Sequence, residues 1–514
     1  MFSKVRSCAV HGVDGRMIDV EADVNDGLPV FTMVGYLSSS VRESSERVRT
    51  ALKNSGFHLP PKRITINLSP ADMRKDGSGY DLAIATAVLL SLGVTAELPM
   101  EQTLVLGELS LDGSIKAIPG VLPMVICARE EGMTSCIVPK ENVQEAALVQ
   151  GISVIGVSSL KETMEYIQGI KEYENTNVEQ PAVDTSEYLY DIDFSDVVGQ
   201  ESIKRGMEIA AAGFHNVLLT GAAGAGKSML AKRLPTILPQ MSFEESLEVT
   251  KIYSVGGMLP PEGGLIHRRP FRAPHHTISE YALIGGGRVP TPGEVSFAHY
   301  GVLFLDELPE FSKPVLEVLR QPLEDRRIRI SRVQASYEFP ADFMFVAAMN
   351  PCPCGNYPDY RRCNCTEQQI RRYQSKVSGP LLDRIDIRME VKGVKQEVLF
   401  SKQKTESSKT IRARVEQARQ MQKERFAGTG LLFNSQLDGK NLEEYITLSE
   451  EGKRLVLQLF EEQELSVRGV HRVLKLARTI ADLAGSEEIE HAHLQEAAFY
   501  RNQDVFAKEV LHGN

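Results

Sequence analysis

Up to about residue 393 two kinds of hydrophobic spacing alternate along the chain, and after it only one remains. Ile64-Thr65-Ile66-Asn67-Leu68 alternates apolar and polar side chains, the period of a strand with one buried face. The apolar stretch from Asp81 to Leu92 that follows has the length of a helix. Further on, Asn216–Thr220, Val302–Leu305 and Phe343–Met349 are short apolar runs of strand length with helical segments between them, the order that a parallel α/β sheet requires. Beyond about Val394 the spacing is wholly helical, as in Val470, Val473, Leu474, Ala477, Ile480 and Ala481, with Ser466 placed to begin that helix. The patterns divide the chain into a mixed α+β segment (1–168), a segment at 169–193, an α/β segment (194–393) and a helical segment (394–514).

Composition sharpens the second of these. From Lys171 to Asp193 one lysine stands against Glu172, Glu174, Glu179, Asp184, Glu187, Asp191 and Asp193, with Pro181 in the middle, so an acidic linker is expected there. With 514 residues, 42% apolar and 25% charged, the chain needs more than one hydrophobic core and has an ordinary globular composition. No apolar run has the length to span a bilayer and the first residues lack a signal-peptide pattern, so no membrane partner and a cytoplasmic location are expected. A net charge of −10 argues against a surface coated with phosphate-binding groups, yet a local basic element can still bind DNA. Of the seven cysteines four crowd between Cys352 and Cys365, which is no disulfide framework.

The candidate chemistry sits at the ends of the apolar runs. Directly after Thr220 comes Gly221-Ala222-Ala223-Gly224-Ala225-Gly226-Lys227-Ser228, a complete Gly-x4-Gly-Lys-Ser phosphate loop between a strand and a helix. Small residues let backbone N–H groups converge on the β-phosphate of ATP, Lys227 supplies a charge to the β- and γ-phosphates, and Ser228 a hydroxyl to Mg²⁺. The second run ends in Asp306 and Glu307, the first expected to hold Mg²⁺ and the second to orient or deprotonate water. The third ends in Asn350, whose neutral amide can position that water.

Together these segments resemble the AAA+ ATPases. The resemblance makes Asp196–Glu201, with Val198 and Gly199, the adenine-side box, and Asn350 the sensor 1 residue. It also places an arginine finger at Arg384 within Ser378–Asp386, where a salt bridge to Asp383 or Asp386 is the local alternative, and sensor 2 at Arg468, with Arg472 one turn later as the other candidate. The stretches Arg269–Thr277, Gly285–Gly287 and Pro290–Glu294, then Cys352-Pro353-Cys354-Gly355 and the C-terminal Ala477–Leu483, narrow this to a resemblance to the YifB/ComM family of magnesium-chelatase-related proteins. That family implies a homo-hexameric ATPase acting on branched or single-stranded DNA. Remodelling of a protein partner, as in metal chelatases, and a regulatory ATPase switch are the competing readings.

The first segment is similar to the proteolytic domain of Lon through Lys75–Ala87. The nucleophilic serine position holds Gly79 and the activating lysine position holds Leu122, so no peptidase activity is expected, even with Ser78 as a displaced nucleophile. Cys352-x-Cys354 and Cys363-x-Cys365 either offer four thiolates to a structural Zn²⁺ or remain free thiols in a loop. Adjacent His275 and His276 would point apart on a strand and about 100° apart on a helix, which disfavours a shared metal. Arg326–Arg332 and Ala335–Phe339 are expected to form a hairpin with Arg327 and Arg329 on one face and Ile328 and Ile330 on the other. Arg327, Arg329 and Arg332 are the candidate DNA contacts, unless Glu324 and Asp325 merely balance that face.

Overall fold

A computed structural model describes residues 1–172, 190–260, 264–332, 335–393, 405–462 and 466–502. Most of the acidic linker and the tip of the arginine hairpin, Val333 and Gln334, therefore lie outside the described residues.

The N-terminal body is built on a seven-stranded mixed sheet in the order Phe31–Val34, Arg63–Ser69, Asp14–Asn25, Phe2–His11, Thr103–Val105, Ser135–Pro139, Ser153–Val157. Its alternating residues Ile64, Ile66 and Leu68 face one core, with Val20, Ala22 and Val24 beside them. Against that face lies helix Asp81–Ser91, which is apolar all round because it is buried nearly all round. The one charge buried in it, Asp81, is held by Arg47 Nε at 2.8 Å. Helix Val121–Glu130 covers the opposite face with Leu104, Leu106 and Val138.

The second body is a parallel five-stranded sheet in the order Phe271–Arg272, Val302–Leu305, Met344–Met349, Val217–Thr220, Ile387–Glu390. Both faces are covered, so alternate residues of one strand enter different cores. Val217 and Leu219, Val302 and Phe304, and Val346 and Ala348 face one side. Leu218, Leu303, Leu305, Phe345 and Ala347 face the other. Helices Ser408–Arg425, Val467–Leu483 and His491–Asn502 pack on the first side through Ile411, Val415, Leu476, Ile480, Leu494 and Ala497, sharing one core with the sheet.

The two bodies are docked. Gly120 N donates to Ser254 O at 3.0 Å, Lys251 Nζ lies 2.9 Å from Asp14, and Val13 is buried in the core of the second body. His11 and Tyr337 bring their rings to 4.5 Å, so the first β-turn of the chain rests on the arginine hairpin. No helix among the described residues is long and apolar enough to cross a membrane.

Candidate functional site

The parallel sheet delivers three candidate segments to its C-terminal edge, because the strands ending in Thr220, Leu305 and Met349 are neighbours running the same way. Gly221 turns the chain so tightly that a Cβ there would lie 2.2 Å from Val391 O. At the far end of the loop a helix begins at Lys227. Lys227 is buried, and its Nζ donates to Gly221 O at 2.7 Å, Ala222 O at 2.9 Å and Asn350 Oδ1 at 3.0 Å. Burial lowers its pKa, opposed by the charges of Asp306 and Glu307. Ser228 Oγ donates to Asp306 Oδ2 at 2.5 Å.

These residues fit ATP and Mg²⁺. A lysine on three neutral oxygens is a donor that an anionic phosphate would take over. A hydroxyl paired with a carboxylate is an oxygen donor set suited to a hard cation. Glu307 follows with φ +52°, a left-handed backbone unusual outside glycine that points its largely exposed carboxylate out of the strand line. Its Oε2 is 3.9 Å from His276 Nδ1, a neighbour that sequence spacing did not reveal.

The segment with Val198 and Gly199 is strapped to the same loop. Gln200 Nε2 donates to Ala225 O at 3.2 Å and Lys392 O at 3.0 Å, and Arg233 reaches Asp196 at 2.8 Å. Gln200 was marked in the sequence only as part of the adenine-side box, and Arg233 did not stand out.

Asn350 leads directly into the cysteine loop, which the fold gathers into a knot. Cys352 Sγ lies 3.4 Å from Cys354 and 3.7 Å from Cys363, and all four sulfurs fall within 4.8 Å of one another. The thiol of Cys354 is drawn down to about 6, first by the Asn356 backbone N–H, while at Cys363 the Cys365 backbone N–H pulls downward but desolvation and the neighbouring sulfurs outweigh it and push the thiol up to about 12.

Arg384 and Arg468 are elsewhere. They line a cavity of about 260 Å³ with Asn216, Asp342 and Asp386, residues that precede the strands, and so they lie at the N-terminal edge of the sheet, opposite Lys227. Arg384 pairs with Glu324, not with Asp383 or Asp386 as its position in the sequence suggested. The reason is that Asp386 is taken by Arg472 at 2.6 Å and by His215 at 3.5 Å, and Asp383 by Arg501 at 3.8 Å. Burial raises the Asp386 pKa, but Arg472 and His215 more than reverse this and hold it far below the usual carboxylate range. Arg468 is exposed and makes no ion pair among the described residues, and Arg384 Nε and Arg472 Nε are buried without a partner there. Lys475 joins this cavity from the same helix as Arg468 and Arg472, seven and three residues on, and Arg326 from the foot of the hairpin. The helical spacing of Lys475 was the one signal that could have found it.

The hairpin pairs Arg327–Ser331 with Ser336–Pro340, and Ile328 is buried while Arg327 and Arg329 are more than half exposed. Their counter-charge is Glu338 at 2.8 and 3.2 Å on the facing strand; Glu324 instead serves Arg384, and Asp325 accepts from Gln321. Arg332 donates to Gly287 O at 3.0 Å. His275 and His276 do not point apart: they occupy a turn, where neither periodicity applies, and their rings lie 4.0 Å from one another. In the N-terminal body Leu122 is fully buried, and Ser78 Oγ hydrogen-bonds the Glu108 carboxylate.

A parallel sheet with a phosphate loop, an Asp-Glu strand end and a helical lid defines a P-loop ATPase fold of the AAA+ class, here behind a Lon-like α+β body. The chain matches the family models described as magnesium chelatase, subunit ChlI, over residues 193–399, subunit ChlI of Mg-chelatase over 20–142, and magnesium chelatase, subunit ChlI C-terminal, over 405–501. It is 41% identical over 506 residues to YifB of Escherichia coli, covering 98% of this chain and 97% of that one. It is 40% identical over 502 residues to competence protein ComM of Haemophilus influenzae, covering 97% of each. A partial likeness, 30% over 183 residues and 32% of each chain, links it to Lon protease 2 of Bacillus subtilis. The chain belongs to the YifB/ComM family of magnesium-chelatase-like AAA+ proteins.

Proposed function

We propose that this chain hydrolyses ATP in a homo-hexameric ring and uses the cycle to move branched or single-stranded DNA, in recombination or in the uptake of DNA, within the cytoplasm. The observation that carries the ring is the separation of its parts: Lys227, Asp306 and Asn350 lie at one edge of the sheet and Arg384 and Arg468 at the other. One copy cannot unite them on one nucleotide, whereas a neighbour can.

In this reading Gly221–Gly226 and Lys227 hold the phosphates, Val198 and Gly199 border the base, and Ser228 with Asp306 would hold Mg²⁺. The ion supplies charge neutralisation at the phosphate oxygens. Glu307 orients water and takes its proton, the Asn350 amide holds that water in line, and the neighbour's Arg384 and Arg468 stabilise charge on the transferred phosphoryl group. Four thiolates at Cys352, Cys354, Cys363 and Cys365 hold a structural Zn²⁺. The N-terminal body has no peptidase activity, since the base position holds the buried Leu122.

DNA is supported by the exposed pair Arg327 and Arg329, with Arg332 beside them, and by the name of the competence relative. The magnesium-chelatase family models favour a second reading, remodelling of a protein partner. The deciding measurement is ATP turnover with and without single-stranded and branched DNA, together with DNA binding across a salt series. Binding that weakens with salt and turnover that rises with DNA are expected. If no DNA form binds or changes turnover, the translocase reading fails and the remodelling ATPase stands.

A further inference from the structure

The cysteine loop does more than follow Asn350: it lies on the phosphate loop. Gly355, between the two sulfur pairs, adopts φ +79°, and a Cβ built there would sit 3.4 Å from Ala223 N, 3.6 Å from Ala223 Cβ and 3.9 Å from Asn350 Cγ. The loop therefore comes within a methyl group's reach of both the backbone expected to cradle phosphate and the amide expected to position water. Lys227 closes the arrangement, because its Nζ donates to Asn350 Oδ1 at 3.0 Å.

The sulfurs are placed for one metal ion. Tetrahedral zinc with Zn–S bonds of about 2.3 Å sets its ligand sulfurs roughly 3.8 Å apart. The contacts Cys352–Cys354, Cys352–Cys363 and Cys354–Cys363 are 3.4, 3.7 and 3.6 Å, and the four cysteines are unbridged. Four thiolates within 4.8 Å leave no room for a polynuclear iron–sulfur cluster. Donors already face the sulfurs, with Tyr357 N 3.4 Å from Cys352 Sγ and Asn356 Nδ2 3.9 Å from Cys354 Sγ, the outer contacts that orient metal ligands. Of the loop's side chains only Cys352 is deeply buried, so little apolar burial holds it in shape without the ion.

We propose that a zinc ion on Cys352, Cys354, Cys363 and Cys365 clamps this loop onto Ala223 and Asn350, so that metal loading sets the catalytic geometry of the ATP site. This rests on the ATPase reading for its effect on turnover, but the clamp itself is a contact that exists without nucleotide. Gly355 is a positioning element here, acting through the Asn350 amide, and the thiolates do not touch the substrate.

The test uses the full-length chain in three measurements. Metal analysis of protein grown with zinc should find about one Zn²⁺ per chain, and none in the double variant Cys354→Ser/Cys363→Ser. Amide exchange without nucleotide should quicken at residues 222–224 when zinc is chelated, and slow again when Zn²⁺ is returned. Steady-state turnover of the stripped protein should show kcat lower by about ten-fold or more, with KM for ATP changed far less, the size typical of a lost outer-shell contact. Gly355→Val should keep the zinc yet reproduce the loss in kcat. Absence of zinc overturns the proposal. So does bound zinc whose removal leaves both amide exchange and kcat unchanged. Zinc-dependent exchange in a protein that hydrolyses no ATP would sink the ATPase reading and leave the clamp standing, while Lys227→Ala should retain its zinc in either case.

Discussion

The two edges of the parallel sheet handle charge in opposite ways. At the C-terminal edge a single buried lysine, Lys227, faces loop carbonyls and an amide, with Asp306 and Glu307 next in line. At the N-terminal edge Arg326, Arg384, Arg468, Arg472 and Lys475 converge on a cavity of about 260 Å³ against Glu324, Asp342, Asp383, Asp386 and Asp438. The first edge can hold a nucleotide, but neither arginine candidate, Arg384 nor Arg468, lies at it. The second gathers five cations against five carboxylates and has no phosphate loop. The crowding bears on Lys475, which is lowered to about 8 by burial, with Asp386 and Asp438 opposing the fall and Arg472 and Arg326 adding to it. In the proposed ring Arg468, exposed and without an ion pair among the described residues, is free to meet the anion held at the other edge of a second copy.

The strongest break of this comparison is Arg384→Ala. ATP binding should survive, while turnover falls by about 10³-fold, the lower range for a lost arginine finger. Mixing this variant with Lys227→Ala should restore part of the activity, because each inactive copy lends its intact edge to the other. No recovery in mixed assemblies would place Arg384 outside the reaction. Next comes Glu307→Gln, expected to bind ATP normally and hydrolyse it about 10²-fold more slowly, read by comparing nucleotide affinity with kcat. Its effect belongs to the first edge alone, so mixing with Arg384→Ala copies should restore part of the activity, whereas mixing with Lys227→Ala copies should not.

A smaller effect separates the two lid arginines. Arg468→Ala should leave thermal stability unchanged and reduce turnover about ten-fold, since Arg468 makes no ion pair among the described residues. Arg472→Ala should instead cost about 3 kcal/mol of stability, because it strands the buried Asp386 carboxylate. Denaturant unfolding and turnover measured on both variants assign the roles, and the reverse pattern would move sensor 2 to Arg472.

The first edge was legible in the sequence because its chemistry is local. A phosphate loop, a strand end and a second strand end each carry their functional residues within a few positions of the apolar run that places them. The second edge was legible only in part. Arg384 and Arg468 could be marked by resemblance, but their surroundings come from segments far apart: Glu324 lies 60 residues before Arg384, and Arg326 and Lys475 enter from the hairpin and the lid. Apart from the helical spacing of Lys475 from Arg468 and Arg472, no periodicity links such positions. The same holds for the docking of Val13 and His11 on the second body, and for the contact of Gly355 with Ala223, which no spacing of cysteines encodes.

The least of these effects is one of pH, and it tests the crowded charge itself. Lys475 has a folded-state pKa of about 8, below its ordinary value of 10.5. Below pH 8 the lysine is charged whether the chain is folded or not, and the cost of burying that charge is fully present. Between about pH 8 and about 10.4 the folded protein releases the proton that the unfolded chain keeps, so stability rises with pH across that window. Turnover of the assembled ring should move the other way. As the proton leaves, the cavity loses one positive charge near the neighbour's phosphate, a change of about 1 kcal/mol or roughly five-fold in rate. Lys475→Met should abolish both trends at once, being uncharged throughout, and should start from the lower turnover and the higher stability. If stability and turnover respond to alkaline pH in the same way in both proteins, Lys475 does not report on the cavity, and the cations at the second edge are held by their own carboxylates alone.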